Sequence, residues 1–171
     1  IFYHHNDYSP EFDKNRSARI DTIGFNPDGT IIKVIPTLRG VGNSDARTQI
    51  QIDRYSEIAP TASIAYLNEA NKFDGWKTLF KKSGAWVRYN RVEFGQEPVK
   101  QVKFRVLAPK GAKLEVNIAG GKSIATVNVP RSNEWAVVSA PVKKSPTGLQ
   151  DLKITLKSGQ AEVDWMIFDA K

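Results

Sequence analysis

The stretch Lys100-Gln-Val-Lys-Phe-Arg-Val-Leu107 decides the fold. Val102, Phe104 and Val106 fall on one side of an extended chain, and Lys103 and Arg105 on the other. Period-two alternation marks a strand with one face in a core and the other in water. The pattern returns in Lys113 to Ile118, with Leu114, Val116 and Ile118 in phase. It returns again in Asp151 to Leu156, with Leu152, Ile154 and Leu156. Further strands are expected over 49–53, 85–90, 123–129, 134–140 and 162–169. Turn-forming clusters separate the runs: Pro109-Lys-Gly111, Gly120-Gly121, Pro130-Arg-Ser-Asn133, Pro146-Thr-Gly148 and Ser158-Gly159. Strands at this spacing predict an all-β fold, a β-sandwich of the jelly-roll type. Residues 64–72 are expected to form no more than a turn or two of helix, because no full apolar stripe runs through them.

The first forty residues read differently. Strands are expected over 2–6, 16–25 and 30–35, the last two joined by the hairpin signal Asn26-Pro-Asp-Gly29. Pro36-Thr-Leu-Arg-Gly-Val-Gly-Asn-Ser44 has linker-like composition. The boundary is therefore drawn at residue 42, giving a β-hairpin and strand extension over 1–42 and a sandwich over 43–171. A hairpin and one strand cannot bury a core alone. The extension must dock on the sandwich, pair with another chain or belong to something larger.

Composition narrows the function. The chain is 171 residues long, large enough for a real core, and 40% hydrophobic and 25% charged, as ordinary globular proteins are. It lacks cysteine, which removes disulfides, thiolate metal sites and a Cys nucleophile. No apolar run approaches a membrane span. The net charge of +7 is dispersed, as in Lys81-Lys82, Lys103 and Lys143-Lys144, and does not alternate with aromatics as a nucleic-acid surface requires. Neither a nucleic-acid nor a membrane partner is expected. His4 and His5 are the only histidines and point to opposite sides of a strand. No nucleophile triad, P-loop or dinucleotide fingerprint is present.

The segment Asp74-Gly-Trp-Lys-Thr-Leu-Phe-Lys-Lys-Ser-Gly-Ala-Trp86, running on to Val92-Glu-Phe-Gly95, resembles family 6 carbohydrate-binding modules. Asn133-Glu-Trp135 is similar to that family's Gly-Gly-Trp element, Glu162-Val-Asp-Trp165 to its closing Asn-x-Asp-Trp strand, and Gln51-Ile-Asp-Arg-Tyr55 to its opening strand. The resemblance spans about 47–170 with the motifs in order. Phe2-Tyr-His-His-Asn6, Arg16-Ser17 and Phe25-Asn-Pro-Asp-Gly-Thr-Ile31 resemble the closing strands of family 43 glycoside hydrolases, five-bladed propellers that often carry a family 6 module next in the chain.

The resemblance implies a non-catalytic module that targets a glycoside hydrolase to plant cell-wall polysaccharide of the xylan or arabinoxylan type. The alternative is an accessory domain with a degenerate sugar site that braces the propeller. The catalytic carboxylates lie on earlier blades in that family, so no hydrolysis is expected of this chain; glycoside hydrolysis needs two flanking carboxyl groups. Phe80 and Trp135 match the two aromatics that clasp a sugar, and Glu162 matches the Asn that bonds its hydroxyls. Phe80 keeps a stacking face but lacks the usual tyrosine hydroxyl, and Glu162 can only accept hydrogen bonds when ionised. Trp86 and Trp165 are expected in the core, and Trp76 in packing. The resemblance also implies a structural Ca²⁺, with Gln51, Asp53 and Asp169 at its ligand positions. It further implies a secreted, periplasmic or cell-surface bacterial protein with its leader upstream of Ile1, partnered by a poly- or oligosaccharide and by the missing propeller.

Overall fold

The structure is a computed structural model that describes residues 1–6 and 17–170. Two six-stranded sheets stack face to face. The first runs β11 (Lys122–Val129), β10 (Ala112–Ile118), β13 (Leu149–Gly159), β8 (Trp86–Glu93) and β3 (Ser44–Asp45), with β5 (Glu57–Ile58) also on β8. The second runs β12 (Ser132–Pro141), β9 (Gln101–Ala108), β14 (Ala161–Asp169), β7 (Trp76–Phe80) and β6 (Ala62–Tyr66), with β4 (Ile50–Gln51) on β14. The β-sandwich expected from the alternation is the architecture found.

The core is the set of in-phase residues. Val102, Phe104 and Val106 from one sheet meet Leu114, Val116, Leu152, Ile154 and Leu156 from the other, all buried. Phe94 and Phe168 close one side edge-to-face, centroids 4.9 Å apart. Each such side chain stabilises the fold by about 1.5–3 kcal/mol relative to exposure. The β13–β14 hairpin turns on Gly159, at φ +78°, where an added Cβ would run into the Gly111 carbonyl oxygen.

The sequence reading of 64–72 needs correction. Ala62 to Tyr66 is β6, paired antiparallel with β7 from Ala62↔Phe80 to Tyr66↔Trp76. Ala62, Ile64 and Tyr66 alternate, but Ala and Ser dilute the signal. Between residues 64 and 75 helix is confined to Lys72–Asp74, a 3₁₀ turn whose Asn71 side chain accepts from the Phe73 amide. Trp76 packs as expected, stacked on Tyr66 with centroids 4.2 Å apart.

In the N-terminal segment β1 (Phe2–His5) pairs antiparallel with β2 (Ser17–Ile20). Asn26-Pro-Asp-Gly29 forms its turn, with Asn26 N–H donating to the Thr30 carbonyl. The expected strand over 30–35 shrinks to a single bridge, Phe25↔Ile31, because among the described residues no further strand lies beside it. Of the expected strand over 16–25, only Ser17–Ile20 is present as β2, and residue 16 lies outside the described set. Asp21 ties the segment together. Its buried carboxylate accepts from Tyr3 Oη, from the Thr37 amide at 2.9 Å and from Thr37 Oγ1 at 2.6 Å. Burial and the Asp21 contact push the Tyr3 phenol up to about 12. Burial would raise the Asp21 carboxyl, but the hydrogen bonds from Thr37 and Tyr3 outweigh it and hold it below its ordinary value. Among the described residues no helix is long and apolar enough to cross a membrane.

Candidate functional site

The three residues matched to a sugar clasp reach the same end of the second sheet. Ala136 of β12 and Val163 of β14 both oppose Val106 of β9, so Trp135 and Glu162 sit level, roughly 10 Å apart across two strand spacings. Phe80 opposes Ala161 on the next strand. The topology thus unites positions 82 residues apart in sequence (162 − 80).

The side chains do not make the clasp. Phe80 is 1% exposed and belongs to the core, because it is in phase with the buried Thr78 on β7. Its ring offers no face to a ligand, which corrects the stacking role given to it. Trp135 is half-buried on the outer face, with the Arg105 guanidinium 5.0 Å above its ring. Arg105 is itself held by the carboxylate of Asp164, a buried residue. Glu162 is bound to Lys77 at 2.8 Å. A depression of about 200 Å³ at this end is bordered by Leu79, Phe80, Pro109 and Glu162, and Trp135 is not among its walls.

The calcium positions do not converge either. Gln51 opposes Trp165 on β14, whereas Asp169 lies four residues further along, about 13 Å away at strand rise. Asp169 is engaged by Lys103 at 2.5 Å, and Asp53 is buried beside Arg54. Calcium takes about six to eight oxygens in one shell. As placed, these three side chains do not form one. Among the described residues no group of three or more His, Cys, Asp or Glu is arranged to hold a metal.

A larger hollow lies on the outer face of the first sheet. On β8, Val87 and Tyr89 point into the core, so Trp86, Arg88 and Asn90 point outward. The expectation that Trp86 is core is therefore wrong by one register position. Its indole lines a groove of about 740 Å³ with Arg88, Glu57, Glu115, Asn117, Asp151 and Lys153. Trp165, likewise expected in the core, sits half-buried opposite Arg105 on the other outer face.

The groove carries both hydrogen-bond signs on a fixed frame. Arg88 donates to Asp151 at 2.7 Å and to Glu57 at 3.0 Å. The Asp151 hydrogen bond holds its guanidinium above the ordinary value despite burial. Lys157 meets Glu115 at 3.4 Å. Lys153 differs: its ammonium rests over the Trp86 ring at 4.5 Å, and among the described residues it has no carboxylate partner. Hydroxyls find acceptors in the carboxylates and a two-way partner in Asn117, around one aromatic face. A volume near 740 Å³ lies within the range of about 300–1,000 Å³ typical of small-molecule sites. The sequence signal for this face was the polar phase Trp86-x-Arg88-x-Asn90, set against the apolar phase Val87-x-Tyr89.

A two-sheet sandwich whose outer face is hollow, aromatic-lined and rich in hydroxyl partners is a β-sandwich of the binding-module class. The family model described as carbohydrate binding module (family 6) matches residues 43–170. The chain belongs to that family of carbohydrate-binding, non-catalytic domains. Among solved structures, a family 6 module from Clostridium stercorarium in complex with cellobiose is 23% identical, covers 76% of this chain and 98% of its own, and superposes with a TM-score of 0.68. One from Clostridium cellulolyticum in complex with xylose is 22% identical, covers 74% and 99%, and has a TM-score of 0.65. A glycoside hydrolase family 43 arabinoxylan arabinofuranohydrolase from Bacillus subtilis, in complex with cellotetraose, is 21% identical with a TM-score of 0.69. That match covers 99% of this chain and 38% of the hydrolase. A comparison with curated proteins gives no match.

Proposed function

We propose that this chain is the glycan-holding part of a plant-wall glycoside hydrolase, and that it holds the sugar in the groove of the first sheet. The observation that carries this reading is the Trp86 indole, half-buried in a groove of about 740 Å³ and ringed by Glu57, Glu115, Asn117 and Asp151. A pyranose C–H face stacks on the indole, displacing Lys153, while the carboxylates and the amide take the hydroxyls. Affinity is modest, because one stacked ring and a few hydrogen bonds must offset the ordering cost of association. Such a module raises the local concentration of an attached enzyme on its substrate.

Two features support a family 43 parent. The match to the Bacillus subtilis hydrolase extends over the N-terminal segment as well as the module. The segment also presents apolar side chains outward, Phe2, Phe25 and Ile31 among them, all more than half exposed. This second observation favours a bracing role alongside binding, with earlier strands of the same propeller as the occupant of that apolar surface. Xylan and arabinoxylan remain the proposed targets, with a cell-exterior location. The test is co-sedimentation with insoluble xylan and with cellulose. The chain is expected to pellet with xylan and Trp86→Ala to stay in solution; retention of Trp86→Ala on the polymer would refute the groove reading.

A further inference from the structure

Beyond the groove, β8 leads to a second hollow. It has a volume of about 610 Å³ and lies where the N-terminal segment meets the sandwich. Three cations line it, Lys33, Arg39 and Arg91, against one carboxylate, Asp21, a balance of +2 (three minus one). The Asp21 charge is already taken up by Tyr3 and by the Thr37 amide and hydroxyl.

Among the described residues neither arginine forms an ion pair, although the charges of Asp21 and Asp151 act on Arg39. Arg39 Nη1 donates to the Gly42 carbonyl at 2.6 Å, but its buried Nε has no hydrogen-bond partner. An unmatched buried donor loses its hydration without compensation, so a protein rarely keeps one without use. Burial, and then the nearby Arg91 charge, push the Arg39 guanidinium below its ordinary value. Arg91 Nε reaches Asn43 Oδ1 at 3.1 Å, and its backbone N–H donates to Asp151 Oδ1 at 3.3 Å. Its φ is +60°, the sole positive value at a non-glycine residue among the described residues. It sits where the β8–β13 register shifts, and a bulge of that kind re-aims a side chain. Two cations brought together at a cost, over a hollow, describe an anion seat.

The anion's source follows from continuity. Trp86, Arg88 and Asn90 lie at alternate positions along the outer face of β8. The first two line the groove, and Asn90 and Arg91 line the second hollow. From Trp86 to Arg91 the strand spans about 16 Å, a single track. We propose that this hollow is a subsite for the carboxylate of a uronic acid unit, on the same glycan that the groove holds by its neutral sugars. The inference rests on the groove reading for the glycan, and on Arg39 and Arg91 for the acid.

The experiment is calorimetric titration of the full chain with xylotetraose and with a xylotetraose bearing one glucuronic acid branch. The acidic sugar is expected to bind at least tenfold more tightly, and the gain to shrink as sodium chloride rises. Arg39→Gln and Arg91→Asn should each remove most of the gain and leave xylotetraose binding unchanged. Asn tolerates a positive φ, so the second variant keeps the fold if the first does not. Equal affinity for the two sugars, or a gain that survives both substitutions, overturns the subsite. Equal affinity is also the result expected if an acidic side chain of another domain fills the hollow. Trp86-dependent xylotetraose binding without an acid gain sinks the subsite alone. An Arg-dependent acid gain that is indifferent to Trp86→Ala supports the subsite and sinks the groove.

Discussion

The two outer faces of the sandwich each carry a half-buried tryptophan with a cation above it, yet they differ in two respects. On the second sheet Arg105 covers Trp135 at 5.0 Å and is tied down by Asp164. On the first sheet Lys153 covers Trp86 at 4.5 Å and is tied to no carboxylate among the described residues. Around them both faces carry ion pairs, Lys77–Glu162 and Lys103–Asp169 on the second, Arg88–Asp151 and Lys157–Glu115 on the first, but the first opens into a groove of about 740 Å³. An aromatic residue alone therefore does not make a sugar platform. What matters is whether its cover can leave and whether there is room above it.

The comparison breaks most visibly at Phe80. If that ring is core and not clasp, Phe80→Ala lowers unfolding free energy by about 3–5 kcal/mol. Oligosaccharide affinity of the folded fraction should then stay within twofold of wild type. A variant that stays stable but loses sugar would return the ligand to the second sheet.

A smaller effect is expected where hydrogen bonds pin the N-terminal segment. Asp21→Asn should loosen the segment by about 1–2 kcal/mol, seen as faster amide exchange over 17–38 with 100–170 unchanged. Wild type should show the same loosening at both pH extremes. The folded Asp21 carboxyl is depressed, so its contribution is full above its unfolded value near 4 and fades as pH falls through the folded one. The Tyr3 phenol is raised to about 12, so its contribution is full below about 10 and fades as pH climbs through 12. Protection factors over 17–38 that do not vary between pH 2 and pH 7 would remove Asp21 from this role.

The smallest effect is at Lys153. Removing a movable cover from the groove should help the ligand, and Lys153→Ala is expected to tighten xylo-oligosaccharide binding about two- to fivefold, the scale of an exposed cation–π contact of about 0.5–1 kcal/mol. Removing a pinned cover is different: Arg105→Ala should leave affinity unchanged and expose Trp135 to fluorescence quenchers. Weaker binding by Lys153→Ala would make the ammonium a ligand contact, not a lid.

Much of the fold was legible because its central strands alternate cleanly. Val102-x-Phe104-x-Val106 and Leu152-x-Ile154-x-Leu156 each fix a strand and its inward face. Ala62 to Tyr66 escaped because small residues blur the contrast between faces. The site was less legible. Motif order brought Phe80, Trp135 and Glu162 to one sheet end, but the burial of Phe80 depends on its phase with Thr78 and on the β6 cover, which a motif does not carry. Trp86 was misplaced because its apolar neighbours Ala85 and Val87 outweighed its phase with Arg88. The cover on each tryptophan comes from another strand, Lys153 on β13 and Arg105 on β9, and only pairing registers reveal it.

The most direct measurement is a parallel calorimetric titration of wild type, Trp86→Ala and Trp135→Ala with xylo- and cello-oligosaccharides. The account predicts that Trp86→Ala weakens binding by about 2 kcal/mol, roughly thirtyfold, while Trp135→Ala matches wild type. Loss of binding in Trp135→Ala with full affinity kept by Trp86→Ala would contradict it.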